Sequence, residues 1–202
     1  EGFLYMLYQG QSVPAFHAHI VDLSLVIHAE HGGGNNSTFT TYVVTSSGSD
    51  IYSTMAASIA SLKGPLHGAA NKKVMEMMAD IKANVSQWSS KDEVAAYLAQ
   101  LVNKTAGDKS GKIYGLGHAV YTKSDPRALA IQGVAGRIAK QQEREDEYQL
   151  YNLIADCAPA VFQQEKQSTK VISPNVDFFS GFVYDCLDIP QAIYTPMFAM
   201  AR

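Results

Sequence analysis

Cysteine is scarce in this chain. Cys157 and Cys186 are the only two among 202 residues, and they form neither a CxxC pair nor a disulfide framework. Reduced thiols in a cytoplasmic protein are therefore expected. No apolar run is long enough to cross a bilayer, so no membrane partner is expected. Neither sign of charge dominates: the formal net charge is -3, which leaves no electrostatic footprint for nucleic acid or an anionic membrane surface. Repeats, low-complexity tracts and obvious linkers are also lacking. The opening residues Glu1-Gly2-Phe3 have neither a starting methionine nor signal-peptide charge, so the chain is expected to be part of a longer polypeptide.

What remains is a globular composition, 47% hydrophobic and 17% charged, with enough chain for one large domain or two small ones. The apolar pattern is mostly helical. Pro14 suits a first turn, and Ile20, Leu23, Val26 and Ile27 share a face before Gly32-Gly33-Gly34 stops the helix. Asp50 can cap a helix carrying Ile51, Met55, Ile59 and Leu62. Val74, Met77, Met78 and Ile81 predict another over 69–85. Ser90-Lys91-Asp92-Glu93 reads as a capping box for a helix to about Asn103. Asp125-Pro126 opens one that runs toward the solvated 141–147 stretch, and an apolar segment then reaches about Gln164. Pro174 and Pro190 bracket a short apolar helix from Phe178 to Leu187, and Pro190 opens the last one. Residues 38–45, Thr-Phe-Thr-Thr-Tyr-Val-Val-Thr, stand apart, because their local propensity is for a strand.

Four polar islands interrupt this pattern. In His28-Ala29-Glu30-His31 the two histidines are three apart, but the spacing matches no zinc signature and no cysteine is near, so no metal is expected. A histidine complementing a helix C-terminus explains the pair instead. In Gly64-Pro65-Leu66-His67-Gly68 small residues and a bend surround one imidazole, which suits a cavity better than a core. The third island, Gly115-Leu116-Gly117-His118 with Asp125-Pro126-Arg127, combines free backbone N–H groups, an imidazole and a guanidinium fork as an anion site. In Pro174-Asn175-Val176-Asp177 a carboxylate precedes Phe178-Phe179. Apolar surroundings raise a carboxylate's pKa and make it a better base, and an N-cap role for Asp177 is the alternative. Together these residues supply what carbanion chemistry on a small dianion requires: arginines for carboxylates, histidines for developing oxyanions, and a base for a carbon-bound proton.

Taken in order and spacing, these four runs, with Asn35, Ser37, Ala70-Asn71, Ala119-Val120-Tyr121 and Ser180-Gly181, resemble citrate synthase over essentially the whole chain. The resemblance implies an all-α fold in which helical large-domain segments flank a helical small domain. Residues 1–66 and 186–202 would be large-domain and 67–185 small-domain, and residues 38–45 would be helix against their propensity. It implies condensation of oxaloacetate with acetyl-CoA and water to citrate and CoA, through an enol or enolate and citryl-CoA, with acetyl-CoA as substrate and no permanently bound cofactor. Asp177 would take the methyl proton, His67 would donate to the thioester oxygen, and His118 would polarise the ketone. His31, Arg127 and Arg202 would hold oxaloacetate, Asn35 and Ser37 would orient His67 and Asp177, and His28 would be structural. Family members are longer and pair as homodimers, and a partner-subunit arginine lies beyond the point where this chain stops. Thr122 stands where some members carry a basic CoA contact, with Lys123 beside it. The alternatives are 2-methylcitrate synthesis from propionyl-CoA, one methylene larger, and a non-catalytic fragment that at most binds a dicarboxylate.

Overall fold

The computed structural model describes residues 1–29, 33–64, 67, 68, 70–118, 121 and 123–202. Ten α-helices are present among them: α1 (Gly2–Leu7), α2 (Ala15–Ala29), α3 (Asn36–Ser46), α4 (Ile51–Lys63), α5 (Ala70–Asn84), α6 (Lys91–Val102), α7 (Pro126–Gln141), α8 (Glu145–Lys166), α9 (Val176–Cys186) and α10 (Tyr194–Met200). A 3₁₀ turn at Gln191–Ile193 precedes the last. The described residues contain no strand, only one isolated antiparallel bridge, Leu116 with Pro174. The all-α expectation holds.

Several helix starts follow from their caps. The Asp50 carboxylate accepts from the Tyr52 and Ser53 N–H groups, and Asp125 accepts from Arg127 N–H ahead of Pro126 at the first turn. Ser90 caps α6, but the box does not close on itself. Glu93 instead accepts from the N–H groups of Ser86 and Gln87, so it fixes the preceding loop. The strand propensity of residues 38–45 is overridden. Asn35 caps α3 by accepting from Thr38 N–H, and the Thr40 and Thr41 hydroxyls donate to the carbonyls of Asn36 and Ser37, one turn back. A threonine in a helix can use its Oγ1 this way, which makes the β-branch tolerable.

The chain divides into two compact units. The first, Glu1–Ala69 with Ile189–Arg202, holds α1 to α4 and α10. Here α3 packs on α4, and α10 packs on α2 and α4. Ile20, Val21, Tyr194 and Met197 are buried. His28 is fully buried and stacks on Phe198, with ring centroids 3.7 Å apart. The second unit, Ala70–Asp188, holds α5 to α9. Its centre is α9, against which α5 and α7 pack. Nine of its eleven residues are buried, as a helix apolar on every side requires. Phe178, Phe179 and Phe182 meet Tyr151 of α8 at centroid distances of 5.1–6.1 Å. Gly181 lets α5 approach, since a Cβ there would lie 2.9 Å from Met75.

Candidate active site

In the first unit the His67 turn is shaped by backbone contacts. His67 N–H and Gly68 N–H both donate to Gly64 O, at 3.0 and 2.9 Å. A Cβ on Gly68 would fall 1.8 Å from the carbonyl oxygen of Leu62, so only glycine fits. The half-buried imidazole is then gripped by α3: Ser37 N–H donates to His67 Nε2 at 3.2 Å, and Ser37 Oγ lies 2.7 Å from the same nitrogen. A backbone N–H can only donate, so Nε2 must be the unprotonated nitrogen. The ring is neutral and its proton sits on Nδ1. Burial, and then the charge of Arg202, lower the pKa of His67 and favour the same state.

Behind this contact lies a hydroxyl network that the sequence reading missed. Ser37 Oγ is 3.0 Å from Ser58 O, Thr41 Oγ1 is 2.6 Å from Ser58 Oγ, and Ser58 Oγ donates to Thr54 O. Hydroxyls four apart on otherwise apolar helices were the available signal. A cavity of about 240 Å³ adjoins it, with Asn35, Ser37, Ser58, Leu62, Ala199 and Arg202 among its walls. The Arg202 guanidinium rests over the Phe198 ring at 5.3 Å. Asn35 acts here as the cap of α3, the helix that carries Ser37. His31 lies outside the described residues, as does Thr122.

In the second unit the Gly117 N–H is not free for an anion. Gly117 N–H donates to Ser173 O at 2.7 Å, Asn175 N–H donates to Gly115 O, and Asn175 Nδ2 donates to Gly117 O. These bonds zip the third and fourth islands together, so the Gly117 N–H expected to face an anion is spent inside the protein. Gly115 has φ +79°, and a Cβ on it would meet Phe178 and Val74 at 2.8 Å. Asn175, not Asp177, caps α9, accepting from Asp177 N–H at 3.0 Å. Asp177 therefore sits half-buried in the first turn with the cap role already filled.

His118, Arg127 and Asp125 form the charged part of this unit's site. The Asp125 oxygens accept from Arg127 Nε at 3.0 Å and Nη2 at 2.9 Å, and both residues are buried. Burial pushes the Asp125 carboxyl upward, but the hydrogen bonds and charge of Arg127 outweigh it and hold the group ionised below the ordinary range. Tyr121 N–H donates to His118 Nδ1 at 3.2 Å, while Arg127 Nη2 lies 3.3 Å from His118 Nε2. Arginine, like a backbone N–H, can only donate, so donors face both ring nitrogens: a neutral ring with its proton on Nε2 keeps the Tyr121 bond, and one with its proton on Nδ1 keeps the Arg127 bond. With the proton on Nε2, the imidazole and guanidinium N–H groups lie side by side and suit one ligand oxygen. A cationic ring would meet a donor at both nitrogens. Burial first, then Arg127, lower its pKa, against a smaller opposing effect of Asp125.

Among the described residues no group of three His, Cys, Asp or Glu could hold a metal ion, and no helix is long and apolar enough to cross a membrane. Cys157 and Cys186 are buried free thiols, and burial raises the Cys186 pKa to about 12.

Comparison with known proteins agrees with the motif order. The family model for the citrate synthase C-terminal domain matches residues 1–202. A citrate synthase of Synechocystis is 40% identical over 202 residues, which cover 100% of this chain and 46% of that protein. A 2-methylcitrate synthase of Shewanella oneidensis is 34% identical, covering 99% and 48%. The ternary complex of carboxymethyl coenzyme A and oxaloacetate with the citrate synthase of Thermoplasma acidophilum superposes with a TM-score of 0.78 at 27% identity, covering 100% and 49%. The chain spans about half the length of the curated relatives it matches.

Proposed function

The chain belongs to the citrate synthase family, and on that premise we propose that it carries the catalytic residues of a cytoplasmic enzyme condensing oxaloacetate with acetyl-CoA to give citrate and CoA. The observation that carries this reading is the Ser37 N–H donating to His67 Nε2, because it makes Nδ1–H the ring's hydrogen-bond donor. A neutral imidazole donor matches a thioester oxygen that gains charge as the adjacent methyl loses its proton.

In this reading the first unit contributes large-domain helices and the second is the small domain. Asp177 removes the methyl proton of acetyl-CoA, and the electron pair moves to the thioester oxygen, which His67 Nδ1–H stabilises. The enol carbon then attacks the oxaloacetate ketone carbon. The ketone oxygen faces His118 Nε2–H, takes that proton and becomes the hydroxyl of citryl-CoA, while His118 regains a proton from solvent and Asp177 releases to solvent the one it took. Water cleaves the thioester and releases CoA as a thiol. His31, Arg127 and Arg202 hold the oxaloacetate oxygens, and Ser37 and Asn35 orient the His67 side. Acetyl-CoA is a consumed substrate, and no resident cofactor enters. Homodimerisation is supported by the exposed apolar residues of α3 and α4, among them Phe39, Tyr42, Ile51 and Tyr52.

Thiol release followed with a chromogenic reagent, in the presence of oxaloacetate and acetyl-CoA or propionyl-CoA, tests the proposal. Turnover that prefers propionyl-CoA moves the assignment to 2-methylcitrate synthesis, a choice of one methylene worth ~1–3 kcal/mol. Oxaloacetate binding without turnover reduces the chain to a dicarboxylate-binding fragment. Asp177→Asn should lower turnover by about 10²–10⁴ while oxaloacetate binding persists, and full activity in that variant removes Asp177 as the base.

A further inference from the structure

Tyr121 takes no part in the chemistry above, yet its ring adjoins both ligand-facing donors of the second unit. Its centroid is 5.0 Å from that of the His118 imidazole, with the planes at 36°. The Arg127 guanidinium carbon lies 5.1 Å from the same ring centre. Its own backbone N–H donates to His118 Nδ1. One residue thus touches the imidazole through its ring and through its backbone, and also supports the guanidinium.

We propose that Tyr121 is a positioning residue, whose ring locks His118 and Arg127 side by side so that Nε2–H and the guanidinium address one oxygen of a keto-dicarboxylate. The physical argument is geometric. Asp125 grips Arg127 through Nε and Nη2, and the Tyr121 ring gives the same guanidinium a second surface, 5.1 Å from its central carbon. The electron-rich face of Tyr121 attracts the guanidinium and packs the imidazole, so one rigid group sets the distance between the two donors. For its ligand the inference rests on the oxaloacetate reading above.

The test uses Tyr121→Leu and Tyr121→Phe, read by oxaloacetate calorimetry and by the ¹⁵N shifts of His118. Leucine removes the aromatic face. It should weaken oxaloacetate binding about tenfold, the order a partly buried cation–π contact supplies, and turn the single Nε2–H tautomer into a mixture. Phenylalanine keeps the face and should restore both. A leucine variant in which either quantity keeps its wild-type value overturns the proposal. So does a phenylalanine variant that loses as much as leucine, since the hydroxyl would then be the active part. If the wild-type protein takes up no oxaloacetate, the proposed function fails, and the His118 tautomer in ligand-free protein still decides the role of Tyr121.

Discussion

Helices α3 and α9 are each eleven residues long, and they are built in opposite ways. In the second unit α9 buries nine residues, most of them aromatic or aliphatic, and its neighbours assemble around it. In the first unit α3 buries none, and Phe39, Tyr42 and Val43 lie exposed on it. It is held by the Asn35 cap, by threonine hydroxyls returned to its own backbone, and by packing on α4. The second unit thus places His118 and Asp177 on a scaffold stabilised by apolar burial. In the first, the grip on His67 depends on directional hydrogen bonds from a marginal helix.

That contrast can be broken by mutation. Phe178→Ala should cost about 3–5 kcal/mol, because a fully buried ring leaves a cavity in an interior that cannot collapse around it. Urea unfolding measures this, and a loss below about 1 kcal/mol would show that α9 is not the keystone. Asn35→Ala should cost about 1 kcal/mol through the lost cap and should loosen the Ser37 grip, seen as a His67 pKa moving back toward its ordinary value. Acidification is expected to destabilise further, by a smaller amount. Both histidines have folded pKa values lowered from 6.5, so their contribution is complete above pH 6.5. It is lost as pH falls through the lowered values, where the unfolded chain binds protons that the native state refuses. Denaturation midpoints from pH 8 to 5 check the sign, and a midpoint that rises on acidification in this window contradicts it. Phe39→Ser should change the stability of the single chain by no more than about 0.5 kcal/mol. If the exposed face of α3 supports the proposed homodimer, the same change lowers self-association in sedimentation.

The cap residues show how far local reading reached. Asp50, Ser90 and Asp125 start their helices as expected, since a cap is completed within two or three residues of itself. Reading by propensity failed at residues 38–45, where the threonine hydroxyls found helical partners, and motif order within the family supplied the correction. At Asp177 the structure removes the N-cap alternative, because Asn175 fills that role, and at Gly115-Leu116-Gly117 it corrects the expectation of free N–H groups. There the Gly117 N–H, one of the groups expected to be free, donates to Ser173 O. Thr41 and Ser58 went unnoticed because a hydroxyl on a helix has no meaning until its partner on the neighbouring helix is known.

The sequence by itself determined the helical class and most helix starts, because those signals are periodic or lie within a few positions of one another. Only the tertiary structure decided the state of His67. The proton of His67 is assigned by a backbone N–H thirty residues away, and its turn is shaped by a Leu62 carbonyl that admits only glycine at position 68. A hydrogen bond assigns a tautomer only when donor and ring meet at about 3 Å, and that meeting is a property of packed helices and not of the order of residues.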